Sequence, residues 1–232
     1  MDLTLYNNSW LVPAKCGSRH IDKLLDIKTQ LNTQFPLDWD EFINDTENHN
    51  KIMIPSEHIF HYWKLPITHI ILREPIDLLQ AALHTDISGH HKNLIKDGGG
   101  FISTNLELRE WLLEYTTFGT GHWSPTLYKG LWYLFQMRPN IQIVPLRDLT
   151  RFLAKNGIVG ATGAYTPSDY NFSKYGPSRT DIINSIKIVF PEIWSRILNA
   201  IEEETKYYDY ICDRKILELP KIKKIRKKVR LI

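Results

Sequence analysis

The sequence predicts an α/β domain whose central, mostly parallel sheet is flanked by helices. Two patterns carry that prediction. Short β-branched runs alternate with helical stretches along the chain. The strongest run, residues 67–72 (ITHIIL), is nearly continuous in apolar side chains, as a strand buried on both faces of a parallel sheet must be. Residues 9–13 (SWLVP) form a candidate first strand. Ser18 then opens a helical stretch in which Ile21, Leu24, Leu25, Ile27 and Leu31 recur near a 3.6-residue period. Residues 51–55 (KIMIP) read as a second strand. Pro75, after the central strand, stands where a first helical residue is expected, and Ile76, Leu79, Ala82 and Leu83 give that helix an apolar face. Residues 127–137 (LYKGLWYLFQM) fit a buried helix or a strand equally well. Residues 141–145 (IQIVP) are a further strand, with a helix expected over 146–154. Residues 179–210 read as mostly helical, with Pro191 starting a second segment.

Length and composition bound the possibilities. The chain has 232 residues, 43% hydrophobic and 24% charged. That suits one large domain, or at most two small ones, and it excludes collagen, wholesale disorder and a disulfide-stapled miniprotein. Cys16 and Cys212 lack metal-site spacing and are expected as thiols in a reducing compartment. The net charge is +3, but residues 221–232 (KIKKIRKKVRLI) hold seven Lys or Arg and no acid. Without them 22 basic residues face 26 acidic ones, so the body of the chain, 1–220, carries −4. This basic tail is read either as a solvated terminus or as a clamp for a polyanion or an anionic membrane. No targeting signal and no apolar run of membrane-spanning length is visible. A soluble cytoplasmic protein without a specific nucleic-acid partner is expected.

Three loop regions stand out. Gly98-Gly99-Gly100 and Gly119-Thr120-Gly121 punctuate the middle, and residues 157–177 form a long Gly/Ser/Tyr loop of the kind that serves as a lid. His90-His91 lies before the first Gly run and reads as exposed loop.

The main chemical feature is Pro13-Ala14-Lys15-Cys16-Gly17-Ser18-Arg19-His20, between the first strand and the first helix. Backbone N–H groups at a helix start attract anions. Gly17 permits close backbone approach, Lys15 adds a full charge, and the Ser18 hydroxyl can cap the helix or contact an oxyanion. Such a loop suits phosphate or sulfate. A triphosphatase P-loop places its Lys after the last Gly, whereas Lys15 precedes Gly17. Cys16 flanks the helix start, a position that lowers a thiol pKa.

Lys15-Cys16-Gly17-Ser18 resembles the K-x-G-[ST] loop with which sulfotransferases hold the 5′-phosphosulfate of 3′-phosphoadenosine 5′-phosphosulfate (PAPS). Residues 70–79, with Arg73-Glu74-Pro75 after the apolar run, are similar to the same family's strand-then-helix element, whose Arg binds the 3′-phosphate. His122-Trp123-Ser124-Pro125 resembles the H-W-x-P segment of Golgi carbohydrate sulfotransferases, and 201–211 resembles their last helix. The lack of a membrane anchor points to a bacterial or viral relative. The resemblance implies a P-loop-kinase-like fold, PAPS as donor, adenosine 3′,5′-bisphosphate as product and a carbohydrate or other hydroxyl acceptor. It places Lys15, Cys16, Gly17, Ser18, Arg19 and Arg73 at the cofactor, with His122 and Trp123 facing the acceptor. Two positions depart from the family pattern. Arg19 stands where a second hydroxyl residue is usual, and Ala81 replaces the Ser expected eight residues after Arg73. The latter removes a hydrogen bond to a charged group, worth on the order of 1.5–3 kcal/mol.

Sulfuryl transfer to an alcohol needs a base, and histidine titrates near neutrality. His58, in an H-x-F sequence following the second strand, best resembles the H-V-x-F segment of uronyl 2-O-sulfotransferases, with His61 as alternate. Ser173 and Lys174, in the long loop, are expected to close over the cofactor. His69, within the central strand, reads as a core residue. The expected function is therefore a PAPS-dependent sulfotransferase. The alternatives are a catalytically degenerate nucleotide- or polyanion-binding module of the same fold and a phosphoryl-transferring relative. No metal is called for.

Overall fold

A computed structural model describes residues 2–7, 9–25, 31–32, 51–55, 65–97, 105–119, 122–158 and 178–213. His58, His61, Ser173, Lys174, the triple glycine, most of the long loop and the basic tail lie outside the described residues.

Among the described residues six strands form one sheet: β1 (Asp2–Tyr6), β2 (Trp10–Pro13), β3 (Leu31–Asn32), β4 (Lys51–Pro55), β5 (His69–Leu72) and β6 (Gln142–Pro145), in spatial order β3-β4-β1-β2-β5-β6. β2 runs parallel to β5, and β5 parallel to β6. β3 and β4 are also parallel, whereas β1 runs antiparallel to both β2 and β4. The sheet is thus mixed, with five strands in one direction and β1 alone reversed. β1 was not expected. Its DLTLY alternates apolar and polar residues, yet Thr4 is buried along with Leu3, Leu5 and Tyr6. A tight turn joins β1 to β2, with Asn7 at φ 45° and the Ser9 N–H donating to the Tyr6 carbonyl at 3.0 Å. Asn tolerates this left-handed region better than most residues.

Seven helices are described: α1 (Ser18–Leu24), α2 (Pro75–Asp97), α3 (Asn105–Phe118), α4 (Leu127–Met137), α5 (Leu149–Lys155), α6 (Arg179–Val189) and α7 (Pro191–Cys212). Pro75 and Pro191 both sit at the first helical position, where the missing N–H costs nothing. α1 is shorter than the periodicity implied, and Leu31 lies in β3 instead. His90 and His91 belong to α2, not to a loop, because the helix continues to Asp97. The ambiguous run 127–137 is helical and buries Leu127, Tyr128, Gly130, Leu131, Trp132, Leu134 and Phe135. The segment after β6 begins as a 3-10 turn, Leu146–Asp148, before α5. α7 packs against α2, α3, α4 and α6. Among the described residues no helix is long and apolar enough to cross a membrane.

Two local devices hold the frame. The Tyr6 hydroxyl donates to Asp22 at 2.7 Å and lies 3.0 Å from the Ser18 carbonyl. Lys51 donates to the other Asp22 oxygen at 2.8 Å, so α1 is fastened to β1 and β4. Burial, then the Asp22 charge, holds the Tyr6 hydroxyl well above its ordinary pKa. Elsewhere Gly119 follows α3 at φ +74°, and a Cβ there would lie 2.3 Å from the Trp123 carbonyl oxygen. Gly119→Ala must therefore move backbone rather than side chain. We expect it to cost on the order of 2–3 kcal/mol, read as a lower urea midpoint.

Candidate functional site

The carboxyl ends of β2 and β5 lie side by side, because these two strands are parallel neighbours. Ligands of open α/β sheets bind at such ends. Beyond β2 the chain makes a tight loop in which the Cys16 N–H donates to the Pro13 carbonyl at 3.0 Å. Two of its residues are left-handed, Lys15 at φ 62° and Gly17 at φ 95°. Only Gly adopts this conformation without cost, so Lys15 is held there by its surroundings. Gly17, not Ser18, occupies the N-cap of α1, and its carbonyl accepts from the His20 and Ile21 N–H groups. Ser18 is the first helical residue.

Arg73 ties this loop to β5. Its Nη1 donates to the Lys15 carbonyl at 3.1 Å. Its own carbonyl accepts from the Tyr128 hydroxyl at the start of α4. Lys15 and Arg73 are therefore brought together at one sheet edge, although the guanidinium is partly engaged by the loop backbone. No carboxylate among the described residues pairs with Arg73, which is half-buried. A guanidinium in that setting is suited to an external anion.

Cys16 behaves differently from the expectation of a low thiol pKa. It is wholly buried beneath the loop, and burial pushes the thiol up to about 12, with nearby Arg73 opposing only in part. Desolvation outweighs the helix start, so Cys16 is a packing residue that offers the site its backbone alone. Arg19 lies in the first turn of α1, its side chain outside the described set. Ala81, on the second turn of α2, is 6% exposed and its carbonyl accepts from the Thr85 hydroxyl.

The H-W-x-P segment lies elsewhere. Trp123 is 1% exposed and stacks on Tyr115, with ring centroids 5.4 Å apart and planes at 6°. Its ring faces are core surface, which corrects the expectation that it meets an acceptor. His122 is 38% exposed and its Nδ1 pairs with the Asp86 carboxylate on α2. Asp86 is eleven residues beyond Pro75, about 16 Å along α2 from its start. His69 is half-buried, tilts against Phe152 at 4.9 Å and has its pKa lowered chiefly by burial. Among the described residues no group of three His, Cys, Asp or Glu side chains is placed to hold a metal ion.

Sequence reasoning missed Tyr128 and Glu204. The Glu204 side chain, 1% exposed on α7, accepts from the Tyr128 N–H at 2.7 Å and so caps α4 from outside. No local pattern announces either contact, since Glu204 lies 76 residues from Tyr128 in the chain. No family model, no curated protein and no solved structure matches this chain.

Proposed function

We propose that the protein is a sulfotransferase that takes PAPS as donor and a hydroxyl acceptor, with carbohydrate the expected acceptor class. The observation that carries this reading is the direct bond between the Arg73 guanidinium and the Lys15 carbonyl at the carboxyl edge of adjacent parallel strands. It supports a single cleft for a nucleotide carrying several negative charges. In this reading the protein belongs to the P-loop-like sulfotransferase architecture, of which the mixed α/β sheet is the coarser part.

The chemistry follows from charge. The acceptor oxygen attacks sulfur in line as the bond from sulfur to the bridging phosphate oxygen breaks. The electron pair of that bond stays on the phosphate, and the acceptor proton passes to a base, for which His58 or His61 is the candidate. Lys15 and the backbone amides of Gly17 and Ser18 stabilise the departing phosphate oxygens. Arg73 contributes charge-assisted hydrogen bonds to the nucleotide's phosphate.

Calorimetry with adenosine 3′,5′-bisphosphate tests the cleft. We expect measurable binding by the native protein, weakened about tenfold or more by either Lys15→Ala or Arg73→Ala. Absence of binding, or binding indifferent to both substitutions, removes the proposal. Ala81 favours a second reading, a nucleotide-binding module without turnover. Incubation with PAPS and a glycan panel separates the two, because only an enzyme releases the bisphosphate at a rate that rises with acceptor concentration.

A further inference from the structure

β2, β5 and β6 are consecutive parallel strands, and a cation stands just past the end of each. The register pairs Leu72 with Pro145. It also pairs Leu11 with Ile70, which carried forward sets Pro13 opposite Leu72. Lys15, Arg73 and Arg147 thus leave the sheet at nearly one level. Neighbouring strands are about 4.8 Å apart, which puts the Lys15 and Arg147 backbones roughly 10 Å apart with Arg73 between them.

The three cations are not evenly shared. Arg73 leans toward β2, where it holds the Lys15 carbonyl. Arg147 follows Leu146 in the 3-10 turn, is exposed, and has no carboxylate partner among the described residues. Its charge is felt at the Tyr208 hydroxyl and the Cys212 thiol near the end of α7. Glu74, also felt at Tyr208, Asp148, and Asp209 and Asp213, both felt at Cys212 as Arg147 is, are carboxylates near this edge. One cationic centre therefore lies at Lys15–Arg73 and a second, one strand farther on, at Arg147.

We propose that Arg147 supplies a second anion-binding position at this sheet edge, holding the second of the nucleotide's two separated phosphate groups, the role that the family resemblance implies for Arg73. The inference rests on the nucleotide reading of the Lys15–Arg73 edge and adds to it a residue that the sequence motifs did not include. Arg147 meets the phosphate farther from the α1 loop. The 5′-phosphate stays with Lys15.

The test compares adenosine 3′,5′-bisphosphate with adenosine 5′-monophosphate by calorimetry. The proteins are native, Arg147→Ala, Arg147→Gln and Arg196→Ala, the last removing an exposed charge on α7 away from the edge. The native protein is expected to prefer the bisphosphate. Both Arg147 variants should weaken it about tenfold while leaving the monophosphate within about twofold, and Arg196→Ala should change neither. Equal weakening of both nucleotides, or an effect no larger than that of Arg196→Ala, overturns the inference while the nucleotide site survives. If the native protein binds neither nucleotide, the nucleotide reading falls, and inorganic tripolyphosphate decides the anion position alone. Tripolyphosphate binding weakened in both Arg147 variants upholds it, and binding that is absent or insensitive overturns it.

Discussion

Raising the pH from 5 to 9 is expected to destabilise this protein substantially, and Glu204→Gln is expected to remove most of that loss. Glu204 is buried on α7, and desolvation raises its pKa from 4.5 to about 8, against the lowering effect of the Tyr128 and Lys129 N–H groups. The folded pKa lies above the unfolded one. The stability linked to this group is therefore fully present below pH 4.5 and is lost as pH rises through about 8. One pKa unit corresponds to about 1.4 kcal/mol, so the loss is on the order of 3–6 kcal/mol. Gln keeps an acceptor for the Tyr128 N–H and cannot ionise. Urea unfolding at pH 5, 7 and 9 should show the two proteins close together at pH 5, with the variant the more stable at pH 9. His20 and His69 have lowered pKa values, so their linked stability is lost at low pH instead. They affect native and variant alike. A native protein as stable at pH 9 as at pH 5 would refute the assignment.

The second large effect concerns Trp123. Replacing it by Ala empties a fully buried site between α3 and the connection to α4, against Tyr115. Truncating a buried aromatic residue costs about 3–5 kcal/mol. The loss should appear as a lower unfolding midpoint with unchanged affinity for adenosine 3′,5′-bisphosphate, since the ring is 1% exposed and packs into the core. A variant of native stability that instead failed to bind a glycan acceptor would restore the role that the H-W-x-P resemblance implies.

Elements with unambiguous local patterns were legible. The β-branched runs became β2, β4, β5 and β6, and Pro75 and Pro191 open helices because a fixed φ and a missing N–H suit only that position. The meeting of Lys15 and Arg73 was legible too, since strand ends of adjacent parallel strands share one edge. What failed depended on burial. Cys16 and Trp123 sit in motifs that read as chemistry, but desolvation is set by what packs over them. Arg147 escaped notice because its position follows from the order of strands in the sheet, a property of no single segment. β1 escaped because Thr4, polar yet buried in its middle, interrupts the apolar run that marked the other strands.

That reversed strand has a kinetic consequence. Among the described residues, β3 and β4 on one side, and β2, β5 and β6 on the other, are joined by hydrogen bonds only through β1. Asp2–Tyr6 is the keystone of the sheet, yet its second ladder waits until Lys51–Pro55 has emerged. Closing a loop of that length before any reward is slow. The β1–β2 hairpin is accordingly the natural nucleus, and the edge bearing Lys15 takes shape before the far half of the sheet docks onto it.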